Sequence, residues 1–285
     1  MNRNARIEAL VLSVKETAQD NRSVRLLTKN GLEWATLFGG PKSKLRGAVS
    51  LWNSGTAYIY KNEEKNSAKI TDFDVQKYHP TFRENLFKSF AASLAGEIVI
   101  RSSAAGSPEQ CFVLLNGFLD GMDLLDEAGA RLGLLRFLWR YLDLLGVRPS
   151  VESCGRCQKE FFSQAEFWAC QNGAAGGADG RALNSLQSAL ESRAGGKNFS
   201  LYSKAENSFV CADCCSAQEL GVRVSEGALY YLKLSALSQK DGMAAARKAV
   251  ISQSDAACLK ALLYEMSESA LGIKLKTLES GKGIL

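Results

Sequence analysis

Two cysteine pairs provide the most specific chemistry in this chain. Both have the C-x-x-C spacing, with Cys154 and Cys157 in the first pair and Cys211 and Cys214 in the second. A turn of this kind points two thiolates at one metal ion, so two turns supply the four soft ligands of a tetrahedral zinc. Residues 158–210 separate the pairs, a longer interval than a compact zinc ribbon has. The spacing therefore predicts a metal that cross-links a sizeable inserted subdomain.

The residue types favour a structural zinc. Four cysteines close the ligand set, whereas catalytic zinc usually keeps three protein ligands and an open position. His79 is the one histidine of the chain, which leaves little for imidazole-rich zinc chemistry. Cys215 and Cys170 are alternative ligands. Disulfide and redox pairs are the other interpretations, but the N-terminus has no signal-peptide pattern and neither pair follows a βαβ pattern.

Motifs for catalysis are missing from the sequence. It has no nucleophile elbow, Walker loop, dinucleotide fingerprint or H-E-x-x-H motif. Its acidic residues are scattered and form no cluster suited to divalent metals. We therefore predict a binding protein and not an enzyme.

Positive charge is concentrated at the N-terminal end. The chain has a net charge of +5, and residues 1–80 hold 13 Lys and Arg against 8 Asp and Glu, which accounts for the whole excess. This distribution is typical of a protein that binds a phosphate backbone. No apolar run reaches the ~18 residues that would indicate a membrane span. These features predict a cytoplasmic protein that is independent of membranes.

The first 80 residues have the alternation of short strands. Lys29-Asn30-Gly31 is a strong hairpin turn between two of them. Strands at this spacing predict a small β-barrel. The predicted strands are 5–15, 22–29, 32–38, 48–52, 56–61 and 68–76.

Basic and aromatic residues of this region are candidates for nucleic-acid contacts. We predict that residues 39–47 (GGPKSKLRG) form a flexible basic loop. Cations would neutralise phosphates while exposed aromatic rings stack on bases. The cationic candidates are Arg25, Lys42, Lys44 and Arg46. The aromatic candidates are Trp34, Phe38, Trp52, Tyr58 and Tyr60, of which strand alternation should leave at most two exposed.

From residue 81 the pattern changes to helices. Apolar residues recur at helical spacing, and Pro149 after Gly146 marks a helix end before the first cysteine pair. Helices resume after the second pair, so the zinc region is predicted to be an insertion in a helical body. The predicted helices are 82–100, 109–125, 130–145, 225–237, 243–250 and 255–271.

Several segments together resemble the bacterial recombination mediator family RecO. The segment DNRSVRLLTKNG at 20–31 looks like the family's early hairpin, and GGPKSKLRG at 39–47 looks like its basic loop. Arg136-Phe137, placed before Gly146 and Cys154, is similar to its helix-to-zinc junction. LGIKLKTL at 271–278 is similar to its C-terminal signature. The likeness spans nearly the whole chain.

The resemblance implies an α+β multidomain protein. It would consist of an N-terminal OB-fold β-barrel that binds nucleic acid (1–80), a helical body (81–150 and 221–285) and an inserted zinc-binding subdomain (151–220).

The family likeness also implies a function and partners. The chain would bind single- and double-stranded DNA, promote strand annealing and work on the nucleoid in repair of the RecF type. It would contact RecR and the acidic C-terminal tail of single-stranded-DNA-binding protein, and would help RecA load onto coated DNA. Arg136 and Arg140, four apart on one helix face, are candidates for binding that tail. The rival hypothesis is a zinc-stabilised nucleic-acid-modifying enzyme with an OB-fold domain.

Overall fold

The computed structural model describes residues 4–17, 20–40, 43–62, 67–104, 106–162, 199–216, 218–236, 247, 249 and 251–285. Within these residues the chain is a mixed α+β structure, as the sequence predicts. The strands are β1 (Asn4–Glu16), β2 (Arg22–Thr28), β3 (Gly31–Leu37), β4 (Ser54–Asn62), β5 (Ser67–Lys77), β6 (Phe199–Ser203), β7 (Ser208–Cys211) and β8 (Val222–Ser225). The helices are α1 (Lys44–Ala48), α2 (Leu86–Arg101), α3 (Pro108–Leu124), α4 (Glu127–Leu144), α5 (Glu226–Ala236), α6 (Gln253–Leu271) and α7 (Lys276–Ser280), with a 3-10 turn at Pro80–Arg83.

The first five strands form one sheet in the order β1-β2-β3-β5-β4, closed by the pairing of β1 with β4. The β3–β5 pair is parallel, and the other pairs are antiparallel. Every second residue of a strand faces the interior of the barrel, because successive side chains point to opposite faces of the sheet. On β2, Val24 and Leu26 are buried while Arg25 lies on the outer face. The predicted hairpin forms, with Thr28 paired to Gly31, whose φ of +125° suits glycine.

One predicted strand is wrong. Residues 48–52 are not a strand, because the helix α1 and a turn occupy this part of the chain. The helix also replaces much of the flexible loop predicted at 39–47. Val49 nevertheless packs into the barrel core, which explains the apolar character that suggested a strand.

Helix α2 packs closely against the chain that follows α1. The Asn85 side chain caps its start by accepting a hydrogen bond from the Lys88 N–H at 2.9 Å. Gly96 faces the ring of Trp52, and a Cβ at this glycine would lie 2.6 Å from the Trp52 Cη2 atom. The residue therefore has to be small for the helix to approach this ring.

His79 connects the segment around Trp52 to helix α3. Its Nδ1 atom lies 2.8 Å from the Trp52 carbonyl oxygen, and its Nε2 atom lies 3.1 Å from Asp120 Oδ1. The ring is buried and stacks on Phe82 at 5.1 Å between centroids. The one histidine of the chain therefore has a packing role.

The chain divides into two compact units. One comprises Met1–Phe137 and Leu271–Leu285, and the other comprises Leu138–Ala270. The second unit contains a three-stranded sheet in the order β7-β6-β8, which the sequence did not predict. Its helix α5 is almost wholly buried. The predicted helix at 243–250 lies largely outside the described residues.

The described helices include none that is both long and apolar enough to cross a lipid bilayer.

Candidate metal centre and nucleic-acid interface

The first cysteine pair lies on a tight turn. The Cys154 N–H donates to the Lys159 carbonyl at 2.9 Å, and the Gln158 N–H donates to the Cys154 carbonyl at 3.0 Å. Gln158 has a φ of +60°, which allows the chain to reverse. Ser153 and Glu160 pair across the base of the turn. These bonds hold both thiols on one side of the turn.

The second pair begins where β7 ends, at Cys211. The Cys214 N–H donates to the Cys211 carbonyl at 3.0 Å, which closes a second turn. The first turn is joined to β7, the strand that leads into the second turn, because the Gly155 N–H donates to the Phe209 carbonyl at 2.9 Å. A Cβ at Gly155 would lie 2.5 Å from Ser208 Oγ, so the close approach of the first turn to β7 requires glycine.

These turns bring the thiols of Cys154, Cys157, Cys211 and Cys214 together, with all four sulfur atoms within 4.8 Å of one another. The Sγ atoms of Cys157 and Cys211 are 3.7 Å apart. A tetrahedral zinc with Zn–S bonds near 2.3 Å sets its sulfur atoms about 3.8 Å apart. The donor set and its spacing therefore fit a zinc ion.

The alternative ligands differ in their placement. The Cys215 thiol donates to the Ser216 carbonyl at 3.4 Å and is not part of the cluster. Cys170 lies outside the described residues. Within the described chain, the geometry thus selects Cys214 over its neighbour.

The surroundings of the four cysteines give their thiols different pKa values. Burial acts to raise the pKa of the Cys154 thiol, but hydrogen bonds from the backbone N–H groups of Cys157, Cys211 and Arg156 outweigh it and lower this pKa to about 6. Hydrogen bonds with the thiols of Cys157 and Cys211 raise the pKa of Cys214 to about 12. A bound metal would displace the remaining protons, because thiolate is the ligand form.

A second candidate site lies on the outer face of β2 and β3. Arg25 and Trp34 are cross-strand partners, and the Arg25 guanidinium lies 4.6 Å from the centre of the Trp34 ring. The indole is 50% exposed although it is a large apolar group. A cation over an exposed aromatic face can serve phosphate and base at once.

The same face continues onto β5. Residues 34, 36 and 38 share a side of the chain, and the parallel pairing of Thr36 with Lys69 brings a second cation to it. The Lys69 Nζ atom lies 5.2 Å from the centre of the exposed Phe38 ring. Phe38 was a stacking candidate, but the sequence analysis missed Lys69. Only the pairing of β3 with β5 reveals this lysine.

Comparison with known proteins adds an independent finding. The family model described as "Recombination protein O C terminal" matches residues 83–199. Relatives named "DNA repair protein RecO" occur in Syntrophobacter fumaroxidans (25% identical), Moorella thermoacetica (26%) and Nostoc punctiforme (28%). The chain is therefore similar to proteins of the RecO family.

The likeness covers part of each RecO relative. The matches include 60%, 54% and 59% of this chain, in the same order. They span 69% of the first relative but only 57% and 58% of the other two.

The basic segment that resembles the RecO loop is less free than its composition indicates. Lys42 lies outside the described residues, and Lys44 is exposed at the start of α1. Arg46 is only 11% exposed, since its Nη2 atom donates to Glu16 Oε2 at 2.6 Å and to the Asp20 carbonyl at 3.2 Å. This arginine is held by the fold.

The residues expected at the RecO partner site are also largely enclosed. Arg136 is only 8% exposed, and its neighbours Phe137, Leu138 and Trp139 are buried, so they do not line an open groove. This burial does not support Arg136 as a cation of a surface site. Arg140 is partly exposed, and its Nε atom donates to the Ser235 carbonyl at 2.8 Å.

Proposed function

We propose that this chain is a DNA-binding recombination mediator in repair of the RecF type. It would promote annealing of complementary strands and help RecA load onto DNA coated with single-stranded-DNA-binding protein. Its relatives bear the name DNA repair protein. The action needs no catalytic step, because base pairing supplies the free energy once two strands are held close together.

We assign the N-terminal barrel to the OB fold. This assignment is supported by the five strands, their closed order and the parallel contact between β3 and β5. OB folds bind oligonucleotides on the face of their second and third strands. The Arg25–Trp34 pair lies on that face with a half-buried guanidinium and an exposed indole, and it is the observation that carries the proposal.

The paired side chains suggest how a strand binds. The Trp34 ring offers a stacking surface to a base, which is sequence-tolerant because every base has a π-face. Arg25 supplies positive charge beside the ring of Trp34, and Lys69 supplies it beside the ring of Phe38. Releasing counterions from the phosphates drives binding, and the cations reduce repulsion between two strands.

We propose that Cys154, Cys157, Cys211 and Cys214 bind one structural zinc. Four thiolates would complete its coordination and leave no open position for substrate. The ion would tie the first turn to the strand β7, which is a connection between segments that are distant along the chain. Zinc would therefore supply cross-linking and not reactivity.

The proposed partners are single- and double-stranded DNA, RecR, the acidic tail of single-stranded-DNA-binding protein and, indirectly, RecA. The proposed location is the nucleoid in the cytoplasm. Of the two arginines expected to bind the tail, Arg140 is the better placed because Arg136 is buried. A labelled tail peptide should bind Arg140→Ala protein more weakly than the unaltered protein, and equal binding would remove Arg140 from the proposal.

We call the outer face of β2 and β3, which carries Arg25 and Trp34, the DNA face. Its test compares two exposed aromatic residues. Trp34→Ala should weaken binding of a labelled single-stranded oligonucleotide, measured by fluorescence anisotropy, by about 5- to 150-fold, the equivalent of ~1–3 kcal/mol for one stacked base. Tyr78→Ala is the matched control, since Tyr78 is more exposed but lies beyond the end of β5. Equal affinities for both variants would contradict the proposed face.

A further inference from the structure

The arginine inside the first cysteine turn contacts three separate segments of the second unit. The Arg156 Nη1 atom donates to the Cys214 carbonyl at 2.8 Å and to Glu219 Oε2 at 3.0 Å. Its Nη2 atom donates to Glu206 Oε1 at 2.6 Å and also to Glu219 Oε1. One guanidinium therefore joins the first cysteine turn to the second and to both glutamates.

Each of these acceptors belongs to a segment that must be in place for the four thiols to meet. Glu206 lies in the turn between β6 and β7, and β7 ends at Cys211. Glu219 follows the second cysteine turn, and its Oε2 atom also accepts a hydrogen bond from the Ser216 N–H at 3.3 Å. Arg156 thus contacts one residue that precedes the second turn in the chain and one that follows it.

We infer that Arg156 is a positioning residue that holds the two cysteine turns in register for the metal ion. The inference rests on the proposed zinc site. Arginine suits this task because its planar fork offers several donors in a fixed geometry. Outer contacts of this kind orient metal ligands without touching the metal.

The positive charge of Arg156 also helps to hold the two cysteine turns together. The guanidinium holds the pKa of both Glu206 and Glu219 below the ordinary value, chiefly through its hydrogen bonds to them. Without Arg156, two carboxylates would remain beside a zinc–tetrathiolate centre that itself carries a net negative charge. Their repulsion would oppose the closed arrangement.

A second ion pair between the same turns provides an internal comparison. Lys159 Nζ lies 3.3 Å from Asp213 Oδ2, so this pair also connects the first turn to the second. The two side chains are 70% and 78% exposed, and exposed pairs of this kind contribute little. The structure therefore predicts very different effects from two cations that are three residues apart.

The experiment measures zinc binding by full-length variants. Affinity is obtained by competition with a chromophoric chelator, and release is followed as the rate of zinc transfer to that chelator. Arg156→Ala should bind zinc about 10- to 100-fold more weakly, as outer-contact variants of metal sites do. Arg156→Lys should recover only part of the loss, because an ammonium lacks the fork. Lys159→Ala should stay within about two-fold of the unaltered protein.

A further variant covers the case in which Arg156→Ala does not fold. Glu219→Gln keeps the arginine and weakens one of its contacts, so it should accelerate zinc release by a smaller factor. Melting of the zinc-saturated proteins, followed by circular dichroism, separates general destabilisation from an effect on the metal. Unchanged zinc affinity in Arg156→Ala with a lowered melting temperature would overturn the inference, as would an equal loss in Lys159→Ala. An unaltered protein that takes up no zinc would instead refute the proposed metal centre, and this inference with it.

Discussion

Arg25 and Arg46 carry the same charged group in very different surroundings. Arg46 is held by Glu16 and is mostly enclosed, and Arg22 shares that carboxylate. Arg25 has no carboxylate partner within the described part of the chain, and its guanidinium lies over the exposed ring of Trp34. At the scale of single residues, Arg25 is therefore better placed than Arg46 to contact a phosphate.

This difference predicts how each arginine affects the salt dependence of DNA binding. Removing one phosphate contact to a single strand reduces the slope of log K against log salt by about 0.7. Arg25→Ala should show that reduction, whereas Arg46→Ala should leave the slope nearly unchanged because its charge is already paired. Anisotropy titrations over a range of salt concentrations measure both slopes. The reverse ranking of the two variants would contradict the assignment.

Cys214 and Cys215 are adjacent in the chain, but only Cys214 belongs to the cluster of four thiols. Cys154→Ser should reduce bound zinc well below one ion per chain, because one of the four clustered thiols is lost. Cys215→Ser is the control and should keep near-unit zinc, since the thiol of Cys215 bonds to a backbone carbonyl instead. Metal analysis of the purified proteins gives the stoichiometry. Loss of zinc in the Cys215 variant alone would show that the wrong cysteine has been assigned.

At the scale of elements, α2 depends on a glycine where it meets Trp52. Gly96→Ala would place a Cβ 2.6 Å from the indole, so either the ring or the helix must shift. Such overpacking should lower the free energy of unfolding by about 1–3 kcal/mol.

Gly117 is a matched control on α3, because a Cβ there would meet nothing within 4 Å. Gly117→Ala should be neutral or should stabilise the protein by up to about 1 kcal/mol through helix propensity. Urea denaturation measures both effects. A destabilisation of similar size in the two variants would show that contact with Trp52 is not the cause.

The elements also show what could be predicted from the sequence. Five strands of the barrel and five of the longer helices follow from period-2 and period-3.6 patterns, since burial of one face imposes those periods. The α1 region has the sequence pattern of a strand because the apolar Val49 is buried in the barrel core. The strands β6 and β7 are short and lie beside cysteine turns, so their alternation is too brief to recognise.

The candidate sites were predictable only in part. The four clustered cysteines follow from their spacing, because C-x-x-C turns are local structures. Lys69 joins the aromatic face through a parallel strand pair, and Arg156 reaches glutamates far along the chain. These contacts depend on tertiary structure, which one sequence does not specify. Arg136 shows the converse, since its spacing suggested a surface site and the structure buries it.

At the scale of the whole molecule, the two candidate sites belong to different units. Arg25, Trp34 and Lys69 lie in the first, and the four cysteines lie in the second. Metal removal should therefore lower the thermal stability of the chain while single-stranded DNA affinity changes by less than about three-fold. Chelation followed by calorimetry and anisotropy measures both quantities, with zinc restored as the control. A parallel loss of DNA affinity would show that the DNA face depends on the metal.

The central claim is that the barrel face binds single strands and promotes their annealing without catalysis. The most direct measurement is the rate at which two complementary labelled oligonucleotides anneal, without ATP, at moderate salt. The unaltered protein should accelerate annealing, and Arg25→Ala/Trp34→Ala protein should lose most of that acceleration. Tyr78→Ala protein should retain it. Full acceleration by the double variant, or none by the unaltered protein, would contradict the account.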